Sequence, residues 1–156
     1  MRPRVYLETS VISYLTAWPS RDLVKAAHQE ITREWWSTRT RFDLFVSQIV
    51  LQEVSSGDPQ AVRLRLESIA GVPVLSVSEA AGALAQRLVA EGSLPAKAAV
   101  DALHIAIAAV NGVDYLVTWN CTHIANAAMR HKIEAICRRS GYEPVVLCTP
   151  EELMED

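Results

Sequence analysis

Short apolar runs alternate with longer amphipathic stretches along this chain. Arg4 to Leu7 is short, β-prone and apolar, the mark of a buried strand. Glu8, Thr9 and Ser10 follow as candidate helix caps, and Val11 to Ala17 reads as a short helix stopped by Pro19. Asp22 to Ser37 has apolar residues at 24, 27, 31 and 35, the spacing of an amphipathic helix. Asp43 to Ser47 is a second strand and Gln48 to Ser55 a helix. After Gly57, Asp58 is placed to cap and Pro59 to open a helix over Ala61 to Ile69. Val72 to Leu75 is a third strand. Ser76 to Glu79 resembles a capping box, leading into a helix that runs to Glu91 and stops at Gly92. Pro95 restarts the chain into a helix over Ala96 to Val110, closed by Asn111-Gly112. Asp114 to Thr118 is a fourth strand, Thr122 to Arg139 a helix, and Val145 to Cys148 a fifth strand. Four or five short strands separated by helices predict parallel pairing through right-handed crossovers. The expected fold class is α/β: a three-layer α/β/α sandwich on a central parallel sheet, one domain over residues 1–156.

Composition narrows the class. Half the 156 residues are hydrophobic and 21% are charged, which excludes a disordered tail or a collagenous repeat. The three cysteines form no C-x-x-C pair, so neither a disulfide framework nor a zinc ribbon is indicated and a cytoplasmic setting is expected. No targeting segment is visible, and the longest apolar run, Ala102 to Val110, is too short to span a bilayer. The net charge of −3 argues against a broad polyanion-binding surface, though not against a local one. Twelve of the fifteen basic residues are Arg, the better bidentate phosphate ligand.

In open parallel sheets, ligands bind beyond the carboxyl ends of the strands. Three segments deliver polar groups there. Glu8 directly follows the first strand, Glu53 lies on the helix after the second, and Asn120 lies just past the fourth. Taken singly, each has an ordinary role as a cap, a solvated side chain or a turn residue. Their convergence points to a site. The helix from Pro95 to Val110 is apolar almost all round, yet Lys97, Asp101 and His104 form one polar line on it. A carboxylate on such a helix needs a cation or a polar cleft. A Lys97–Asp101 salt bridge is the plain alternative for the acid, and a packed, hydrogen-bonded core residue is the plain alternative for the histidine. Acids gathered at one edge are tolerable when a divalent cation neutralises them, and oxygen ligands suit Mg²⁺ or Mn²⁺. Metal-assisted phosphodiester hydrolysis is the chemistry such a site serves.

Four pieces of sequence carry a resemblance: Y-L-E-T-S at 6–10, S-Q-I-V-L-Q-E at 47–53, V-D-A-L-H-I-A at 100–106 and V-T-W-N at 117–120. In this order and spacing the chain resembles a PIN domain, in particular the toxin ribonucleases of VapC type. The resemblance implies an Mg²⁺- or Mn²⁺-dependent endoribonuclease acting on an RNA substrate, usually a homodimer and often inhibited by a separately encoded antitoxin. The family's four acidic positions fall on Glu8, Glu53, Asp101 and Asn120, with Glu8, Glu53 and Asp101 as the expected metal ligands. Two positions depart from the family pattern. Glu8 is one methylene longer than the usual Asp, and Asn120 cannot carry the charge often found there. Three potential anions remain, which weakens a second metal site.

Rival readings fit less well. A phosphoacceptor domain wants a lysine after the last strand, where this chain has Thr149 and Pro150. Nucleotide-binding folds want glycine-rich phosphate loops that are absent. Cys121, His123 and His131 have the wrong spacing for zinc. The serious rival is a catalytically degenerate module of the same fold, acting by protein or RNA binding. The helix Asp22 to Ser37 also sets Trp35 beside Trp36, about 100° apart around its axis, so one of them is expected to anchor a partner surface.

Overall fold

The computed structural model describes residues 1–92, 94–95, 98–120 and 127–154. Five strands form one sheet: β1 (Arg4–Leu7), β2 (Asp43–Ser47), β3 (Val74–Leu75), β4 (Tyr115–Val117) and β5 (Val146–Cys148). All neighbours run parallel, in the order β3-β2-β1-β4-β5. The helices described are α1 (Thr9–Thr16), α2 (Leu23–Ser37), α3 (Gln48–Val54), α4 (Pro59–Ser68), α5 (Glu79–Glu91), α6 (Ala99–Val110) and α7 (Ala127–Arg139). Consecutive strand residues point to opposite faces, and Val5, Tyr6 and Leu7 are all fully buried. Both faces of the sheet are therefore covered, as a parallel sheet requires, and the α/β/α expectation holds.

Strand limits follow from sequence pattern with small shifts. β3 is only two residues long because Pro73 has no N–H to donate; its carbonyl accepts from Val46 instead. Helix starts follow the caps. Glu8, Asp22, Ser47, Asp58 and Ser78 each accept a backbone N–H two or three residues on. The capping-box expectation is corrected here: Ser78 is the N-cap, which puts Glu79 in the first helical position, where it cannot reach back as the box requires. Arg4 closes α6. Its guanidinium donates to the carbonyls of Asn111 (2.7 Å) and Gly112 (3.3 Å), a cation at a helix C-terminus. Gly112 has φ +66°, a conformation a side chain resists, and this reverses the chain into β4.

Helix α2 corrects a second expectation. Only the end of the apolar line at 24, 27, 31 and 35 is buried: Trp35 is in the core, but Val24 is 64% exposed and Ala27 is exposed, while the polar Gln29 and Thr32 are buried. Besides burying Trp35 in the core, the helix docks by polar contacts. The Gln29 amide accepts from Ser20 N (2.9 Å) and donates to Trp18 O (2.9 Å), and Thr32 Oγ1 accepts from Trp119 Nε1 (2.8 Å). Trp35 is fully buried. Trp36 is half-buried, with the Arg39 guanidinium 4.9 Å from its ring centre. Trp18, Leu23 and Val24 are the large apolar side chains exposed near this helix.

Candidate active site

The chain lays β2 and β3 on one side of β1, then β4 and β5 on the other. The strand order therefore reverses between β1 and β4, and a crevice forms beyond their carboxyl ends. Leu7 and Val117, the last residues of the two strands, pair directly, and Glu8 N donates to Val117 O (3.1 Å). Glu8 and the 118–120 segment thus leave the sheet side by side.

Glu8 is 6% exposed and is held by neutral donors. Its Oε1 accepts from Ser10 N (3.1 Å), Ser10 Oγ and Thr118 Oγ1 (2.7 Å). Each of these hydroxyls also accepts a backbone N–H: Trp119 N donates to Ser10 Oγ, and Asn120 N to Thr118 Oγ1, both at 2.9 Å. Their own hydrogens are therefore free to turn to Glu8. One carboxylate thereby caps α1 and pins the backbone after β4. That backbone carries Asn120, whose amide donates to Asp101 Oδ1 on α6 at 3.5 Å.

Glu53 is held differently. Its Oε1 accepts from Thr9 Oγ1 (2.7 Å) and from His104 Nε2 (2.8 Å). His104 is 1% exposed, and its Nδ1 lies 2.6 Å from Tyr6 Oη, which lies 2.7 Å from Ser47 Oγ. Partial burial would raise the Glu53 carboxyl, but the hydrogen bonds from His104 and Thr9 outweigh it and hold it below the ordinary 4.5. Burial above all drives the Tyr6 hydroxyl well above the ordinary tyrosine range, and the Glu8 and Glu53 charges add to this against the Ser47 hydrogen bond.

The four expected residues thus lie in two hydrogen-bonded groups that meet on neighbouring segments. Glu8, Asn120 and Asp101 are joined through Ser10 and Thr118, and Glu53 joins α6 through His104, one turn beyond Asp101. Lys97, the proposed partner of Asp101, lies outside the described residues. So do Cys121 and His123; His131 is exposed on α7. The plain alternative for His104, a buried hydrogen-bonded residue, is correct as to burial, but its bond is to the site. Sequence reasoning passed over Tyr6, Ser47 and Thr118, and took Ser10 only as a candidate cap. All four lie inside the quoted motifs, beside the acids, and hydroxyls clustered next to carboxylates were the available signal.

The donor chemistry fits a hard cation, since every candidate offers oxygen. Among the described residues, no three of His, Cys, Asp or Glu converge to hold an ion between them. The fit is therefore to a water-rich site bound through one or two carboxylates, the manner usual for Mg²⁺, and not to an all-protein cage.

The PIN-domain family model matches residues 5–120. Among solved structures, the fold is similar to that of the VapC20 toxin of Mycobacterium tuberculosis, described as cleaving the sarcin-ricin loop. The TM-score is 0.59 at 19% identity, covering 79% of this chain and 95% of that one. No curated protein matches. At that identity the structural likeness is one of fold, whereas the family match spans most of the chain, from β1 through Asn120, and on it the chain belongs to the PIN-domain family.

Proposed function

We propose that the protein is an Mg²⁺- or Mn²⁺-dependent endoribonuclease of VapC type, with Glu53 and Asp101 serving the metal, Glu8 fixing the backbone that carries Asn120, and Asn120 orienting water. The observation that carries this reading is the hydrogen-bonded continuity of Glu8, Thr118, Asn120 and Asp101 at the point where the strand order reverses. A divalent ion there supplies an activated water and charge neutralisation at a phosphodiester. The protein's part is to keep Glu53 ionised and fixed, to hold Asp101 beside the Asn120 amide, and to anchor the 118–120 backbone through Glu8. Asn120 offers a neutral oxygen where a fourth anion is often found, which favours one ion over two.

The test is RNA cleavage against Mn²⁺ concentration for wild type, Asp101→Asn and Asn120→Asp. The RNA attributed to the structural neighbour, the sarcin-ricin loop, is the first substrate to try. Cleavage that needs Mn²⁺, is lost in Asp101→Asn and reaches half-maximum at lower Mn²⁺ in Asn120→Asp supports the reading. If wild type cuts nothing under any metal condition while Asn120→Asp does, the protein is a degenerate binding module. Equal cleavage by all three places the activity elsewhere.

Assembly belongs to the same proposal: a homodimer, inhibited by a separately encoded antitoxin. Trp18 at 82%, Leu23 at 87% and Val24 at 64% exposure support a partner surface at the start of α2. Trp35, deep in the core, is not its anchor. No helix among the described residues is long and apolar enough to cross a membrane.

A further inference from the structure

Four side chains from four segments form one buried line: Ser47 Oγ, Tyr6 Oη, His104 and Glu53 Oε1, with successive separations of 2.7, 2.6 and 2.8 Å. Their hydrogens can be assigned. Ser47 Oγ accepts from Val50 N (3.2 Å), so its hydroxyl hydrogen is left for Tyr6 Oη, the one acceptor described for it. Tyr6 is a phenol near neutral pH, and with Ser47 donating to its oxygen its hydrogen points to His104 Nδ1. That leaves the imidazole proton on Nε2, facing Glu53. The opposite direction would require Nδ1–H and would leave the Ser47 hydroxyl with nothing to donate to. Burial makes such a mismatch costly: Ser47 and Tyr6 are fully buried and His104 nearly so, while the Glu53 side chain is 36% exposed.

We propose that His104 is a positioning residue for Glu53, its Nε2–H fixed by the Ser47–Tyr6 line so that one carboxylate oxygen is locked and the other is left for the cleft. Buried side chains outside a metal's ligand set commonly orient the ligands in this way. The inference rests on the metal reading of Glu53, although the direction of the hydrogen bonds is independent of it. Thr9 makes the second contact to the same oxygen, so both bonds leave Oε2 outside the line.

The test pairs a spectroscopic readout with metal binding. In metal-free protein labelled with ¹⁵N-histidine, His104 should show its proton on Nε2 and an accepting Nδ1, and Glu53→Gln should move the Nε2 signal. Two variants then separate positioning from space filling. His104→Gln keeps an N–H near the Nε2 position and should retain Mn²⁺ affinity. His104→Asn keeps a polar group near Nδ1, loses the donor to Glu53 and should weaken Mn²⁺ binding by about 10-fold or more. A proton on Nδ1, an Nε2 signal indifferent to Glu53→Gln, or equal Mn²⁺ affinity in the two variants would overturn the proposal. If wild type binds no Mn²⁺, the metal reading fails, and the ¹⁵N signals with Glu53→Gln alone decide whether His104 holds the carboxylate.

Discussion

Glu8 and Glu53 are carboxylates of the same length at the same sheet edge, but their surroundings assign them different work. Glu8 is nearly buried, its Oε1 surrounded by one backbone N–H and two hydroxyls, none ionisable near neutrality. Those donors belong to α1 and to the segment after β4, so the carboxylate acts as a structural clasp. Glu53 stands half in solvent, with one oxygen tied to Thr9 and to an imidazole whose far side is locked in the core. A carboxylate satisfied by neutral donors on two segments holds those segments together. One fixed by buried groups but itself partly exposed is presented outward. Both are held through Oε1, so the difference lies in burial: Glu8 is nearly enclosed, whereas the Glu53 side chain is 36% exposed.

Substitution separates the two roles. The largest effect is expected from Glu53→Ala, which should reduce RNA cleavage by about 100-fold or more, since a metal-serving carboxylate stabilises charge in the transition state. Its stability cost should be smaller than that of Glu8→Ala, because it strands His104 Nε2 at a partly exposed position. The measurements are kcat and a urea midpoint on the same preparation. Glu8→Ala should do the reverse in stability. It removes an N-cap and strands buried donors, at a cost of about 2 kcal/mol by urea denaturation. Equal stability losses in the two variants would erase the distinction.

Tyr6→Phe probes the buried line from its far end. It leaves Ser47 and His104 Nδ1 without their partner and should destabilise by about 1–2 kcal/mol. A neutral result would mean that water or a rearranged side chain satisfies both.

A smaller effect should appear with pH. The Glu53 carboxyl is held below 4.5, so it binds a proton more weakly in the folded than in the unfolded chain. The stability it adds is complete above about pH 4.5 and is lost as pH falls further, through the folded value. Wild type should therefore lose its margin over Glu53→Gln in urea melts taken between neutral pH and the acid side of that value. A constant margin would refute the depressed value. The smallest effect is expected at Trp18→Ser, which should change stability by no more than about 0.5 kcal/mol because the side chain is so exposed. By light scattering, the same change should weaken a dimer if the start of α2 is the interface.

Much of this was legible in the sequence. Local pattern set the strands within a residue or two, because buried strands read as short apolar runs between caps and turns. The limits of β1 and β2 coincide with the reading. Glu8 and Asn120 lie just past β1 and β4, where the chain leaves them no other place to go, while Glu53 and Asp101 come to the same edge on helices α3 and α6. The chain could not show which strands are neighbours. The order β3-β2-β1-β4-β5 is what sets Glu8 beside Thr118, 110 residues later, and His104 beside Glu53, 51 residues earlier. Nor could it show the whole buried face of α2. Its apolar spacing at 24, 27, 31 and 35 included the core residue Trp35 but also the exposed Val24, and it missed Gln29 and Thr32, whose partners Trp18 and Trp119 come from other segments. Periodicity is a property of neighbours along the chain and is written there directly. The satisfaction of a buried polar group depends on which distant donor arrives beside it, and only the assembled sheet decides that.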